Sequence, residues 1–431
     1  MNIVIFTDTF LPKIDGVAVS VENFSRLLAL RGHNFLICCP RYGDDDPMEL
    51  GERIKIVRFG NFPLPSYPDI KVALPAFKKI REAMTAFAPD LVHIQSPGLM
   101  GIYGVLAARW YGVPMIGTYH TLVSEQTTYL SPARLLRLDR IVNFYRKVRR
   151  TAAPAPVRGS SKKTITQRLV QKSCNWLYER KRLIISPSHR IKSVLEEQHV
   201  RTPIEVISNG MDLSVFRGTA KKAPSSPPRL LHVGRISFEK NCDVVLEAFA
   251  LIRRSLPGAT LTIVGDGPAL ESLKTLAERL GIADAVDFTG FVPRAELPAL
   301  YPRYDLFLTA STMETQGLVV LEAIASGLPC VGVDAYALPE LIHHGENGFI
   351  VRPFDPEEMA SMALEILRDP ARFSSFSAAG LRIAAEHDIV RCALHLEDVY
   401  RRQSRAADTN KLQAAGAAPL RIRYRMLRKS A

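Results

Sequence analysis

Glu314-Thr-Gln-Gly-Leu-Val-Val-Leu-Glu-Ala-Ile-Ala-Ser-Gly-Leu-Pro329 is the stretch whose reading decides the fold. Before it, Asp305-Leu-Phe-Leu-Thr309 reads as a short buried strand, and Ala310 to Gln316 as a small polar loop. Leu318, Val319, Leu321, Ile324 and Ala325 then recur at helical spacing, and Gly327 with Pro329 ends the helix. This order places Glu314 on the loop at the helix mouth and Glu322 about two turns further in. Gly317 lets the backbone approach a ligand closely, and the free N–H groups of a first helical turn favour phosphate. Two carboxylates so placed accept hydrogen bonds from two groups of hydroxyls on one extended ligand. A nucleotide sugar, with ribose and hexose joined by diphosphate, has that layout. Alone, the pair is weak evidence, because most helical glutamates are solvated.

Outward from this stretch, apolar runs alternate with helical patterns. Ile3–Phe6, Phe35–Cys39, Ile54–Val57, Leu91–Ile94, Met115–Gly117 and Leu183–Ile185 read as strands, with helices around 20–31, 75–88 and 101–111. In the second half Leu230–Val233, Leu261–Val264, Val286–Phe288, Leu306–Leu308 and Cys330–Val333 are short strands. Helices fit 243–256, 268–280, 295–301 and 318–325. Such alternation implies parallel sheets covered on both faces. The expectation is an α/β chain of two doubly wound, Rossmann-like domains, residues 1–205 and 229–390, facing a central cleft. Between them, residues 206–228 hold Ser208-Asn-Gly210 and Lys221-Lys-Ala-Pro-Ser-Ser-Pro-Pro228, a linker by composition. In open sheets ligands bind at the carboxyl ends of the strands.

With 431 residues, 47% hydrophobic, the chain is long enough for two or three cored domains. No apolar run reaches the roughly 18–20 residues that span a bilayer. The start, Asn2-Ile-Val-Ile-Phe6 running into Asp8, lacks the pattern of a signal peptide. Six cysteines without metal spacing suit a reducing, cytoplasmic setting. The net charge of +13 is local: residues 131–182 carry 15 Lys/Arg against 2 Asp/Glu, and residues 401–431 carry 9 against 1. Basic runs of this kind point to an anionic partner surface.

Further candidates fall at strand ends. Asp15-Gly16 follows the first strand, either as a close backbone approach or as a plain turn. Gly117-Thr-Tyr-His120-Thr121 follows another; a lone histidine is more often a structural hydrogen-bonder than a catalyst, and both readings of His120 stand. Gly234-Arg235 follows the strand at 230–233, and Glu239-Lys240-Asn241 opens the next helix. Arg235 as a flat fork and Lys240 as a point charge suit one diphosphate, or form a surface pair. Gly265-Asp-Gly-Pro268 is a Gly-rich turn with Pro268 at the first helical position, without dinucleotide-fingerprint spacing. Asp44-Asp-Asp46 reads as a solvated acidic turn, and no metal-ligand cluster stands out.

Together, Gly234-Arg235, Glu239-Lys240-Asn241, Gly265-Asp-Gly-Pro268, the E-x7-E pair Glu314 and Glu322, and Ser208-Asn-Gly-Met-Asp212 resemble the retaining, GT-B-fold family 4 glycosyltransferases, over about residues 1 to 400. The resemblance implies that Arg235 and Lys240 hold the donor diphosphate and neutralise the leaving group. It implies that Glu322 binds the ribose hydroxyls. Glu314 would contact the donor sugar, helped by backbone N–H groups of Gln316, Gly317 and Leu318. Gly16 would let the other domain's backbone meet the phosphates, His120 would sit beside the sugar, and the base would rest near Gly290 to Val292. The glycines Gly234 and Gly265 belong to the same donor-binding set. No cofactor and no metal are expected, since the donor, a UDP- or GDP-hexose, is a co-substrate. A helix over residues 391–405 is expected to cross back onto the first domain.

Asp8-Thr-Phe-Leu-Pro-Lys-Ile-Asp-Gly-Val17, Thr118-Tyr-His-Thr121 and Glu314-Thr-Gln-Gly317 are similar to bacterial enzymes that glycosylate diacylglycerol or phosphatidylinositol. The resemblance makes residues 1–205 the acceptor side, peripheral on the cytoplasmic face of an anionic membrane. Residues 161–182 set apolar Ile165, Leu169, Val170, Trp176 and Leu177 on one helical face, beside Lys162, Lys163, Arg168, Lys172 and Arg180. Trp176 and Tyr178 suit an interface. The bland reading is an amphipathic helix packed on its own domain. The tail from residue 406 to 431 reads as small, polar linker and then a basic end. Two other classes remain: a nucleotide-sugar epimerase or hydrolase on the same architecture, and a non-catalytic nucleic-acid or membrane binder. The second leaves Glu314, Arg235 and Lys240 unexplained, so no nucleic-acid partner is expected. A soluble or polysaccharide acceptor is the alternative to lipid.

Overall fold

The computed structural model describes residues 1–42, 50–64, 67–74, 76–120 and 165–416. The first half contains β1 (Asn2–Phe6), α1 (Gly16–Leu30), β2 (Asn34–Pro40), β3 (Ile54–Phe59), β4 (Asn61–Leu64), β5 (Tyr67–Ala73), α2 (Phe77–Phe87), β6 (Leu91–Ile94), α3 (Leu99–Tyr111), β7 (Met115–Thr118), α4 (Ile165–Tyr178), β8 (Leu183–Ser186), α5 (His189–Glu197) and β9 (Ile204–Val206). Seven of these strands form one parallel sheet in the order β3-β2-β1-β6-β7-β8-β9. Ile3 lies between Phe35 and Leu91 in register.

The second half follows with β10 (Arg229–Val233), α6 (Cys242–Ser255), β11 (Thr260–Val264), α7 (Leu270–Arg279), β12 (Val286–Gly290), β13 (Leu306–Thr309), α8 (Leu318–Ala325), β14 (Cys330–Val333), β15 (Gly348–Val351), α9 (Pro356–Arg368), α10 (Pro370–Glu386) and α11 (Ile389–Gly416). Its parallel sheet runs β12-β11-β10-β13-β14-β15. The chain is thus two Rossmann-like units, as the alternation predicts. Strands such as β8, β13 and β14 are buried along their whole length because helices cover both faces.

The strand order reverses beside β1 in the first sheet and beside β10 in the second. At such a switch point the loops leaving neighbouring strands part and open a crevice. The loops after β1, β10 and β13 carry Gly16, Arg235 and Glu314.

The two units are stitched where the chain crosses between them. Met211 N donates to His387 O at 2.8 Å, and Ile389 N donates to Met211 O at 3.0 Å. Beyond this crossing α11 packs on the first sheet, burying Cys392, Leu396, Val399 and Tyr400 with Ile3, Ile5 and Val21. Glu397, 4% exposed, receives Arg31 and Arg401 at 2.6 Å and lies 3.0 Å from His33 Nε2.

Several elements differ from expectation, each for a local reason. α1 starts at Gly16 because Asp15 caps it, accepting from Val17 N and Ala18 N at 3.1 and 2.9 Å. α7 starts at Leu270, so Pro268 lies in the preceding turn. Residues 294–303 form three short turns, broken by Pro298 and Pro302. β4 and β5 pair as a hairpin. α11 continues through residues 406–416, where Ala-rich composition favours helix over linker. In α4, Leu177 and Tyr178 are core residues rather than interface residues; Tyr178 donates to Thr118 O at 3.2 Å.

Candidate active site

The second sheet supplies three loops held together by backbone. Gly234 N donates to Val264 O at 3.0 Å, Ile236 N to Asp266 O at 2.9 Å, and Gly265 N to Gly290 O at 2.8 Å. Gly265 and Gly267 have φ of +136° and +157°. A Cβ on Gly265 would meet Gly234 O at 1.9 Å, and one on Gly267 would meet Ile236 O at 2.2 Å. These glycines therefore let the Gly265-Asp-Gly267 turn pack against the Gly234–Ile236 backbone. Val292 packs half-buried just past β12, beyond Gly290.

Past β10, residues Phe238–Lys240 form one 3-10 turn, and Asn241 turns left-handed at φ 47° before α6 begins at Cys242. Asn241 Nδ2 donates to Ala310 O at 3.0 Å and to Thr312 Oγ1 at 3.2 Å, which fastens this turn to the loop carrying Glu314. Lys240 Nζ then lies 2.5 Å from Glu314 Oε1. Burial alone would raise the Glu314 carboxyl; the charge and hydrogen bond of Lys240 outweigh it and hold the carboxyl below its ordinary range. His232, on β10, donates through Nδ1 to Leu308 O at 2.9 Å, and burial lowers it to about 4, so it is a neutral neighbour of this pair.

Gly317 caps α8 at φ 85°. Glu322 lies one turn inside the helix, nearer its mouth than expected, and is 6% exposed. Burial raises its carboxyl, and Tyr301 opposes this by donating to Oε2 at 2.8 Å. Tyr301 therefore holds one carboxylate oxygen in place.

The first sheet closes the cleft from the other side. A Cβ at Gly16 would sit 3.4 Å from Leu318 Cδ1, so the N-termini of α1 and α8 face each other. Their partial positive ends converge, which suits an anion between them. Partial burial lowers the Arg235 guanidinium from its ordinary value, and the negative charges of Glu239 and then of Asp15, across the cleft, oppose this. His120 is buried, its Nε2 2.7 Å from Gln95 Oε1. Burial lowers His120 to about 4, so it is neutral at pH 7. Thr315 joins the halves, its Oγ1 donating to His120 O at 2.9 Å while its carbonyl accepts from Ser188 Oγ at 2.8 Å.

The structure thus brings Gly16, His120, Arg235, Lys240, Glu314, Gln316, Gly317, Leu318 and Glu322 to one cleft. The Gln316 side chain serves the crossing. Its Nε2 donates to Ser208 Oγ at 2.5 Å, its Oε1 accepts from Asn209 N at 3.0 Å, and Asn209 Oδ1 accepts from Ser20 of α1 at 3.0 Å. Sequence reading missed Gln95, Thr315, Tyr301 and Glu340. Glu340 accepts from His189 N and Arg190 N at 2.8 and 2.6 Å, capping α5 from the opposite domain. Thr315 lies inside the Glu314-Thr-Gln-Gly317 stretch and Ser208-Asn-Gly210 at the crossing, whereas Gln95, Tyr301 and Glu340 carried no sequence signal.

Of the membrane candidates, three lie wholly or in part outside the described residues. Lys162 and Lys163 fall outside the described residues, as does the Arg168 side chain. Lys172 is exposed, and Trp176 is 51% exposed with the Arg180 guanidinium 3.4 Å over its ring. Asp44–Asp46 also fall outside the described residues. Among the described residues no group of three His, Cys, Asp or Glu forms a metal site, and no helix is long and apolar enough to cross a membrane.

Residues 14–215 match the family model described as Glycosyltransferase Family 4, and residues 219–382 match Glycosyl transferases group 1. The chain is 30% identical to a D-inositol 3-phosphate glycosyltransferase of Thermobispora bispora, over 72% of this chain and 70% of that one. It is 29% identical to an alpha-monoglucosyldiacylglycerol synthase of Streptococcus pneumoniae, over 85% of this chain and 78% of that one. Among solved structures it is similar to Anabaena HepE in complex with UDP-glucose, with a TM-score of 0.68, 20% identity and coverage of 93% and 99%.

Proposed function

From the premise that the chain belongs to the glycosyltransferases pairing a family 4 domain with a group 1 domain, and is a nucleotide-sugar-dependent transferase, we propose that it moves a hexose from a UDP- or GDP-sugar to a membrane lipid, with retention at the anomeric carbon. The observation that carries this reading is the Lys240–Glu314 pair at the mouth of α8, facing the N-terminus of α1.

Lys240 and Glu314 hold each other at the mouth of α8. A donor diphosphate takes over Lys240, with Arg235 as a second cation and the two helix starts as N–H donors. Glu314 then turns to the hexose hydroxyls, and the free oxygen lone pairs of Glu322 to the ribose, with Tyr301 fixing the carboxylate. The bond from the anomeric carbon to the phosphate oxygen breaks, and its electrons leave with the diphosphate. The acceptor oxygen bonds to the same face of that carbon, and its proton departs with the diphosphate. Negative charge grows on phosphate as the bond breaks, so Arg235 and Lys240 stabilise the transition state more than the bound donor. In this proposal they supply the positive charge and no metal takes part. His120, neutral and held by Gln95, lines the sugar side.

A lipid acceptor is supported by the name of the S. pneumoniae relative and by the exposed Trp176 beside Lys172 and Arg180. Each cation engaged at an anionic leaflet contributes about 1 kcal/mol, so a few suffice for peripheral attachment to the cytoplasmic face of a membrane. The test is to incubate the enzyme with UDP- and GDP-linked glucose, galactose and mannose, with and without mixed lipid vesicles. Vesicle-dependent release of nucleoside diphosphate with a glycolipid product supports the reading. Release with a soluble glycan product alone refutes the lipid acceptor.

A further inference from the structure

Beside the Glu314 loop, the first sheet holds a buried row of side chains that reaches from α11 to His120. Tyr400 of α11 comes first: its hydroxyl lies 2.8 Å from His93 Nδ1, and its ring meets the imidazole edge-on at 5.6 Å. His93, on β6, has its other ring nitrogen 2.7 Å from Thr118 Oγ1. Gln95 follows just past the end of β6, its backbone N–H fixed to Phe6 O at 2.9 Å. Its Nε2 lies 3.3 Å from both His93 ring nitrogens, and its Oε1 lies 2.7 Å from His120 Nε2. Tyr400, His93, Thr118, Gln95 and His120 are all buried.

These distances decide how the Gln95 amide is turned. An atom equidistant from both nitrogens lies against the imidazole and in line with neither lone pair. Both nitrogens already face a hydroxyl. An N–H group gains from the π electrons there, whereas a carbonyl oxygen would meet them with no donor. The amide nitrogen therefore belongs to His93 and the carbonyl oxygen to His120. A carbonyl oxygen only accepts, so His120 Nε2 carries the hydrogen. Burial lowers His120 to about 4 and His93 to about 3, and the charges of His120 and Lys181 act on His93 in the same direction. Lys181, whose ammonium lies 3.8 Å over the Tyr178 ring, is itself lowered by burial to about 7. A neutral imidazole has one N–H and one lone pair, and with the N–H spent on Gln95 the lone pair of His120 is on Nδ1.

A ring so held recognises one kind of group. Nδ1 accepts from a hydroxyl and offers nothing to an ether or a carboxylate. The ring gives no proton to a leaving group, because its one hydrogen is bound to Gln95. Its backbone is held from the second domain, where Thr315 Oγ1, next to Glu314, donates to His120 O at 2.9 Å.

We propose that Gln95 is a positioning residue that keeps His120 in the Nε2–H tautomer, so that His120 meets a hydroxyl of the transferred sugar through Nδ1, as an acceptor and without acid–base chemistry. This rests on the transferase reading above, which sets His120 on the sugar side.

The test begins with wild type carrying nitrogen-labelled histidine. Long-range proton–nitrogen NMR spectra show which ring nitrogen carries hydrogen, and the His120 signals are identified by their loss in His120→Asn. The expected result is the Nε2–H form alone from about pH 5 to 8. An Nδ1–H form, or an imidazolium in that range, overturns the proposal. Gln95→Met keeps the volume but neither hydrogen bond, and the Nδ1–H form should appear in it as well. A single unchanged tautomer there overturns the part given to Gln95.

Nucleoside diphosphate release is then followed with UDP- and GDP-linked glucose, galactose and mannose and mixed lipid vesicles. Calorimetric affinity for UDP and GDP and the melting temperature show that each variant is folded. In Gln95→Met kcat should fall about tenfold or more while nucleotide affinity stays within about twofold, the pattern of a lost sugar contact and not of a lost fold. A kcat within about twofold of wild type overturns the proposal. His120→Asn sets a carboxamide where Nδ1 was, and His120→Gln sets one where Nε2 was. The Asn variant should keep at least about ten times the kcat of the Gln variant, and the reverse order overturns the proposal. So does an acid limb in kcat/KM near the ordinary 6.5 that His120→Asn removes. If wild type releases no nucleotide from any of these donors, the transferase reading fails and the sugar contact falls with it, while the spectra still decide the tautomer.

Discussion

Replacing Lys240 by Ala removes a charge from two partners at once. The Lys240 and Glu314 side chains are 22% and 14% exposed, and they lie 2.5 Å apart. Without the ammonium the largest influence holding the Glu314 carboxyl down is gone, and burial raises it relative to wild type. Breaking a fully buried pair costs about 3–5 kcal/mol; the exposure remaining here brings the expected loss of stability at neutral pH to about 2 kcal/mol. The pH dependence has a definite sign. In wild type the depressed carboxyl contributes stability above its unfolded-state value, and this is lost as pH falls through the folded value. In Lys240→Ala that contribution is smaller, so the gap between the two proteins narrows as pH falls from the ordinary 4.5 through the wild-type value. The catalytic loss is larger, because one preorganised cation facing a departing diphosphate contributes about 10²–10³ in kcat. Urea denaturation at neutral and mildly acid pH, with kcat for nucleoside diphosphate release, measures both effects. A kcat within about threefold of wild type, with a stability gap that ignores pH, would refute the reasoning.

Other predictions concern the scaffold. Burial lowers His93 to about 3 and His120 and His232 to about 4, from an ordinary 6.5. The unfolded chain therefore takes up protons that the folded chain refuses below 6.5, and each histidine lowers the unfolding free energy by up to about 1.4 kcal/mol per pH unit; His232→Gln should remove about one proton from that slope in pH-dependent urea melts. Glu397→Ala leaves Arg31 and Arg401 without their shared carboxylate and should cost about 2–3 kcal/mol, seen as a lower melting temperature and faster proteolysis within α11. Burial would raise Glu397, but its hydrogen bonds hold it at about 2, so this contribution is present above the ordinary carboxylate range and vanishes only in strong acid. Gly265→Ala places a methyl 1.9 Å from Gly234 O and should cut nucleoside diphosphate affinity about tenfold or more by calorimetry, while Gly281→Ala, whose Cβ meets open space, should cost stability without affecting binding.

The helix over Leu318–Ala325 was legible residue for residue, since apolar periodicity fills it and Gly317 and Gly327 bracket it, both at positive φ. The parallel strands were legible because double-sided burial demands unbroken apolar runs. The β4–β5 hairpin was not: Pro63, Pro65 and Pro68 interrupt any strand pattern, and a hairpin at the sheet's margin tolerates them. Tyr178 read as an interface residue, and Leu177 as part of an apolar face, because a helical wheel shows such a face without saying what covers it. The contacts that fasten the halves, Thr315 to His120 and Gln316 to Ser208, join residues 195 and 108 apart and leave no local trace. The candidate donor-side residues were read from residue type at strand ends together with the family resemblance, and the reversal of strand order opens each sheet at those ends.

The central claim is that a nucleoside diphosphate bridges the two domains at the facing starts of α1 and α8. Hydrogen–deuterium exchange with and without UDP or GDP tests it most directly. The account predicts simultaneous protection of residues 15–18 in the first domain and of residues 234–241, 265–267 and 314–320 in the second. Protection confined to one domain, or lying away from these segments, would contradict it.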